Sequence, residues 1–453
     1  MRNRILWTRR SLLQAGVMTA GAAALAACAG ATSPAPAAQS EATTAPAAEA
    51  PAAAAVTGQV RMWEFPHTED DMAQIWTPLL EKFNADNPDI TVNVEILPWG
   101  GRREAMLTAY AGGEAPDIAY VNIDTMSLFG TNGVLMPLQD MIPQEVWDDM
   151  SGNLTDGLTW EGDRLMYPAF IYFYGRLYNK GLFAECGLDV DAPPATWDDM
   201  RTYGAAAAAK EYFLTNLSTI AWDTEMISSL WQAGGRLFNE DFTKVQLDTE
   251  AAFDSWSFEA DMFKNNWVPR EGAVGSEAEA GGATATDYWI TGKQLLSHAD
   301  TALITTNTKT QAPEIDFGLS PTLQHKRQVV LTTGACWGVF KDRPAIDPVA
   351  KWLLWLIGPE PQGFYGSVTN NIPGRLAAMS YWEADETIRA FGELHLPYGE
   401  LNGDATHFWQ EGKVICAPYR QAAALGLSSV EEALAGAQAE FQAELDDYNA
   451  KQS

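Results

Sequence analysis

The sequence predicts an α/β protein whose N-terminal part is organised around a parallel sheet, and three observations predict it. The first is a set of strand-like stretches: Gln59 to Phe65, Ile90 to Leu97 and Ala115 to Val121. Apolar and polar residues alternate most clearly in Ile90-Thr91-Val92-Asn93-Val94-Glu95-Ile96-Leu97, the period of a half-buried strand. The second is the pair of helical stretches between them. Trp76 to Asn84 places Trp76, Leu79, Leu80 and Phe83 on one face, and another helix follows Trp99-Gly100-Gly101 and runs through Ala109. The third is their order. Strand, helix, strand, helix, strand is the pattern of parallel strands joined by crossover helices.

The later elements are mixed. Thr196 is placed to cap a helix beginning at Trp197, with Asp199 at the capping-box position. A helix covering Ser229 onward ends at Gly234-Gly235, and Leu237 to Asp241 forms a turn. Trp256 to Lys264 is amphipathic, and Glu271 to Ala285 is a Gly-, Ala- and Glu-rich stretch expected as an exposed loop. Lys351 to Ile357 is an apolar helix stopped by Gly358-Pro359, and Val430 to Asp447 is a C-terminal amphipathic helix. Trp76, Trp231, Trp352 and Trp355 lie on helical faces and belong to the core.

Residues 1–28 are an address. Arg2, Arg4, Arg9 and Arg10 precede a small-residue apolar stretch that ends in Leu25-Ala26-Ala27-Cys28. Basic, apolar and small-residue regions in that order make a secretory signal, and the apolar run is too interrupted for a permanent membrane span. Thr8-Arg9-Arg10-Ser11-Leu12-Leu13 has the form of a twin-arginine export signal. The competing reading is an ordinary secretory signal with a chance Arg pair. Leu-Ala-Ala-Cys resembles a bacterial lipobox, which implies lipidation of Cys28. Residues 29–57 are Ala, Pro, Ser, Thr and Glu with almost no large apolar residue, the composition of a disordered tether.

The remaining chain, 58–453, is long enough for two domains. The formal charge of the full sequence, −30, excludes a phosphate backbone as partner and makes nucleic-acid binding untenable. Beyond Cys28 the cysteines are Cys186, Cys336 and Cys416, so at least one is free or pairs between chains. No metal-ligand spacing, cofactor motif or nucleophile elbow is present, and Ser367 in Gly366-Ser367-Val368 is not one. The expectation is therefore a protein without a cofactor that is not an enzyme.

Seven short motifs, in order, resemble one family. They are Asn87 to Val92, Gly113 to Ile118, Gly133 to Leu138, Leu177 to Phe183, Pro194 to Asp198, Trp231 to Gly235 and Ile290 to Lys293. The family is the extracellular solute-binding proteins that include maltose-binding protein. Gly181 departs from the family's usual Asp, and Leu295-Leu296 from its usual Ala-Met. The resemblance implies a two-lobed α/β fold with a hinge and a ligand cleft between the lobes. Lobe 1 would take approximately 58–168 and 338–385, and lobe 2 approximately 169–337 and 386–453. Crossing segments fall near Tyr167 to Tyr172, Thr332 to Gly338 and Tyr381 to Arg389. The resemblance also implies ABC importer permease subunits as partners, a monomer, and a membrane reached only through the lipid anchor.

Open α/β sheets bind ligands beyond the carboxyl ends of their strands, so the loops that follow the strands hold the candidates. These are Trp63, Glu64, Phe65 and His67; Trp99 and Gly100; Asn122 and Asp124. Tyr172 and Tyr174 come from the first crossing, and Trp222 and Asp223 follow. Thr333, Gly334 and Trp337 come from the second crossing. Asn370, Asn371 and Arg375 sit in a Gly/Asn/Pro loop, and Trp409 precedes a late helix. Asp124 stands where the resembling maltose-binding protein has a sugar-binding carboxylate. Aromatic faces suit the C–H face of a pyranose, and carboxylate, Asn and Arg suit its hydroxyls. A carbohydrate is the expected ligand. A secreted carbohydrate-active hydrolase would share this acidic, Trp-rich composition, and a peptide or polyamine binder could share the scaffold.

Overall fold

The computed structural model describes residues 56–151, 153–219, 226–274, 288–343 and 346–452. The signal, the lipobox, nearly all of the tether and the candidates Trp222 and Asp223 lie outside the described residues, as does most of the Gly/Ala/Glu-rich stretch. No helix among the described residues is long and apolar enough to cross a membrane.

The first half follows the expected order: β1 (Gly58–Glu64), α1 (Thr77–Asp86), β2 (Ile90–Ile96), α2 (Arg102–Ala111) and β3 (Ile118–Asn122). A π-helical turn, Met72–Trp76, leads into α1. β1 lies parallel to both β2 and β3, with Val60 opposite Val92 and Met62 opposite Ile118. Val60, Met62 and Ile118 are buried in the same apolar cluster as Trp76, Leu79 and Phe83 of the first helical stretch.

A long strand, β4 (Tyr167–Asn179), then changes partners along its length. Its first half pairs antiparallel with β6 (Val330–Val339), from Tyr167↔Trp337 to Phe173↔Thr332. Beyond it, Tyr174 and Gly175 pair with Asp300 and Ala299, and Arg176 to Asn179 pair with β5 (Phe317–Ser320). β6 in turn pairs antiparallel with β3, and β7 (Ile372–Pro373) adds to the free edge of β4. Two of the segments expected to cross are thus strands hydrogen-bonded to each other. Gly334 sits where they approach most closely. A Cβ built there would lie 2.3 Å from the Phe170 carbonyl oxygen and 3.0 Å from Ile171 Cα. Backbone cannot yield as a flexible side chain can, so Gly334→Ala lowers stability by about 1–3 kcal/mol, read from the shift of the urea midpoint. This corrects the expectation that Gly334 contacts ligand: it is a packing residue between strands.

The helices pack around this frame. α3 (Trp197–Ala208) opens with the expected capping box, in which Thr196 and Asp199 exchange both bonds. α4 (Ile227–Gln232), α5 (Glu250–Lys264), α6 (Ile346–Leu356), α7 (Pro359–Thr369) and α8 (Glu386–His395) follow. The chain closes with α9 (Trp409–Ala424) and α10 (Val430–Gln452), both packed on α5. Trp76, Trp231 and Trp352 are fully buried, as their helical faces predict. Apolar side chains form a large cluster around β1, β3 and the first half of β4. A second cluster lies around Phe183, Trp197, Met200 and Phe258, and a third around Leu177, Trp289 and Ile304. The cysteines beyond Cys28 are free thiols; Cys336 and Cys416 are buried, and burial pushes the Cys416 thiol up to about 12.

Candidate functional site

Gly101 takes the left-handed conformation, with φ 72°, and so turns the chain directly into α2. That turn sets Arg102 and Arg103 at the helix start, facing the carboxyl end of β3. Arg102 Nε donates to Asn122 Oδ1 at 3.1 Å, and Arg103 donates to Asp124 Oδ2. Gln410, at the start of α9, also donates to Asp124 Oδ2, at 3.3 Å. Arg103 and Gln410 therefore share one carboxylate oxygen, the latter from 286 positions beyond Asp124. The other, Asp124 Oδ1, is buried and has no hydrogen-bond partner among the described residues. It is an oriented acceptor beside two guanidinium groups, while the side chain as a whole keeps 20% of its surface exposed.

An aromatic wall stands next to this polar row. Trp99 is 37% exposed and stacks on Phe65 at 5.1 Å between centroids, with its indole N–H donating to the Pro66 carbonyl. The Arg102 guanidinium lies 5.3 Å from the Trp99 ring centre. Phe65 and Trp99 both contact Tyr120, Tyr120 contacts Phe170, and Phe170 contacts the half-buried Tyr172. Tyr172 meets Tyr174, which meets His298. Trp99, Asn122, Asp124, Tyr172 and Tyr174 are thus brought to one region. Trp409 starts α9 beside Gln410 but is itself only 5% exposed.

Other candidates have structural duties. Trp63 is not in a loop: it lies inside β1 on the face opposite Met62 and donates to Glu95 of the neighbouring strand at 3.0 Å. Glu64 faces inward and is fully buried; its Oε1 accepts from Trp337 of β6 at 2.7 Å. Burial raises the Glu64 carboxyl well above the usual range, and the Trp337 hydrogen bond only partly offsets it. The Tyr365 hydroxyl is near but outside hydrogen-bond geometry. Arg375 is claimed by Asp149 at 2.8 Å and by the Ile357 carbonyl at 3.0 Å. Asn370 ends α7 in the left-handed conformation, φ 56°, a cap position that Asn tolerates. Arg102, Arg103, Tyr120 and Gln410 were missed from sequence. The Gly-Gly pair before two arginines was the available signal for the first two.

His67 is half-buried. It packs against Trp99, Tyr120, Phe170 and Tyr365, and Asp71 caps its backbone N–H. Burial pushes its pKa down to about 4, with Asp71 opposing. A histidine held neutral in the fold protonates in the unfolded chain first. Its stabilisation is present above pH 6.5 and is lost as the pH falls towards about 4, up to roughly 3 kcal/mol. The neighbouring Glu64, raised by burial, acts with the opposite sign. Replacing the histidine by His67→Gln flattens the fall in urea midpoint across that window.

Comparison with known proteins follows this geometry. A family model described as bacterial extracellular solute-binding protein matches residues 66–363. The maltotriose-binding protein of Pyrococcus abyssi is 23% identical over 216 residues, which is 47% of this chain and 44% of the relative. The chain spans less than half the length of the curated relatives it matches, 42% and 44% for two of them. The crystal structure of a cyclic alpha-maltosyl-1,6-maltose binding protein from Arthrobacter globiformis superposes with a TM-score of 0.74 at 20% identity, covering 86% of this chain and 100% of that one. The sugar-binding protein MalE from Xanthomonas citri superposes with a TM-score of 0.75 at 18% identity, covering 86% and 98%. At these identities the likeness establishes the fold, a two-lobed α/β binding-protein architecture.

Proposed function

Because the chain belongs to the bacterial extracellular solute-binding protein family, we propose that it is the extracytoplasmic binding component of an ABC importer, closing around a carbohydrate and delivering it to the permease. The observation that carries the ligand class is the pairing of the exposed Trp99 ring, backed by Phe65, with the oriented acceptor Asp124 Oδ1. A ring face receives the C–H side of a sugar, and the carboxylate accepts from its hydroxyls. The names of maltotriose-, maltose- and cyclic-maltoside-binding relatives agree with that chemistry. Tyr172 and Tyr174 lie on the strand that changes partners and would complete the wall on closure; Trp222 and Asp223 remain candidates of the same lobe.

We place the first lobe at approximately 58–168 and 338–385 and the second at approximately 169–337 and 386–453. The twin-arginine segment and Cys28 would export the chain and tether a monomer to the membrane through residues 29–57. A thermal-shift screen of sugars, polyols, peptides and polyamines tests the ligand class, because a ligand bound only by the folded chain raises Tm. A shift confined to sugars is expected. A shift with peptides alone would overturn the carbohydrate assignment, and turnover of labelled oligosaccharides would replace binding protein by hydrolase.

A further inference from the structure

A cavity of about 690 Å³ opens between the short hairpin of Thr159–Trp160 with Asp163–Arg164, the turn at residues 238–242, the segment 400–408 and the end of α10. None of its lining residues belongs to the site described above. Its volume lies in the range of small-molecule sites.

The walls are aromatic. His407 is sandwiched between Trp160, at 4.7 Å and 14°, and Phe242, at 4.5 Å and 24°. Tyr448 stands edge-on to Phe408 at 4.9 Å and donates to Glu161, while Asn449 donates to the Phe242 carbonyl. The end of the C-terminal helix thereby fastens the hairpin and the turn around the opening.

The polar groups are unbalanced. Glu400 and Asp404 are neutralised by Arg236, and Glu400 also by Arg327. The rim carboxylates Asp156, Glu161, Glu240 and Asp241 have no Lys or Arg partner among the described residues. Burial pushes the His407 pKa down to about 4, so at neutral pH it adds no positive charge. Asn239 is spent on its own turn through Thr243 and Lys244, whereas Asn402 uses only its side-chain oxygen to accept from the Asp404 N–H. Carboxylates outnumber cationic groups along the lining, so an anion would be repelled.

Backbone strain converges on the same place. Glu161, Phe242 and Phe408 all line the cavity and hold φ of 50°, 52° and 56°. For bulky aromatic residues this is an outlier conformation, and such strain gathers at ligand sites.

We propose that this cavity is a second binding site, for an organic cation that carries an apolar body. The ammonium group sits among the rim carboxylates, and its body lies against Phe242 and Tyr448, where ring faces also attract the charge. Tyramine and tyrosol make the test, since they share one ring and differ by an amine against a neutral hydroxyl. Calorimetric titration of the whole chain at physiological ionic strength should give saturable one-to-one binding of tyramine, with tyrosol weaker by about ten-fold or more. The double variant Glu161→Gln/Asp241→Asn should weaken tyramine by a similar factor, and Asp124→Ala should leave it unchanged. Equal affinity for tyrosol, no saturable binding, several equivalents bound to the acidic surface, or insensitivity to the double variant would overturn the proposal. Loss of tyramine binding in Asp124→Ala would overturn it too, by moving the amine to the other site.

Discussion

Asp124→Ala weakens sugar binding by about ten-fold or more while leaving the unfolding midpoint nearly unchanged. Asp124 Oδ1 is the one oxygen of that carboxylate with no partner among the described residues, whereas Oδ2 is held by Arg103 and Gln410. Two fixed donors on Oδ2 aim Oδ1. A hydrogen bond from a sugar hydroxyl to a charged acceptor contributes roughly 1.5–3 kcal/mol, which converts to about ten-fold or more in affinity. Stability is spared because Arg103 and Asp124 keep 27% and 20% of their side-chain surface in solvent, so the separated charge rehydrates. Titration of the best sugar from the thermal screen, by calorimetry, measures the loss. Asp149→Ala is the matched control: its carboxylate serves Arg375 instead, so it should reduce stability without touching affinity. An unchanged Kd for Asp124→Ala would remove the carboxylate from the site.

Arg420→Ala is expected to produce the largest loss of stability, about 3–5 kcal/mol. Arg420 of α9 and Glu259 of α5 retain 1% and 7% of their side-chain surface. Arg420 Nε and one terminal nitrogen both donate to Glu259 Oε2, at 3.1 and 2.9 Å. Truncating the cation leaves an ionised carboxylate in the interface between two helices, where water does not replace the lost partner. The pair itself gains little over an apolar contact of equal volume, because both ions were desolvated to make it. The double variant Arg420→Met/Glu259→Met should therefore recover much of what the single variant loses. Urea unfolding of the three variants measures this, and a double variant no more stable than Arg420→Ala would contradict the account.

What was legible in the sequence was what repeats locally. Alternation marked β2, and a 3.6-residue period placed Trp76, Leu79 and Phe83 together. The Thr196 and Asp199 pair announced its own helix start. Of the proposed site, Trp99 and Asp124 could be named from the sequence because each follows a strand-like stretch. It failed where a side chain is claimed by a distant partner. Glu64 follows Val60 and Met62 inward by simple alternation, but the Trp337 indole that satisfies it lies 273 residues away. The same alternation puts Trp63 on the opposite face, against Glu95, and rules it out of a loop. Arg375 looked like a donor in a turn until Asp149, 226 residues earlier, took it. Gln410 carried no local signal at all, since only the fold brings α9 to the end of β3.

The pairing of β4 with β6 has a mechanical consequence. Two loose linkers would act as a free swivel, and lobes joined that way could close in many orientations. From Tyr167↔Trp337 to Phe173↔Thr332 the two strands are locked to each other, and β3 and β7 pair with their outer edges. Strands held on both edges resist shear and in-plane bending, and a sheet yields most readily in twist. Gly334, pressed against the Phe170 carbonyl, permits the close approach of the two backbones. A rotation about these strands is therefore expected as a twist of the sheet rather than as a free swivel.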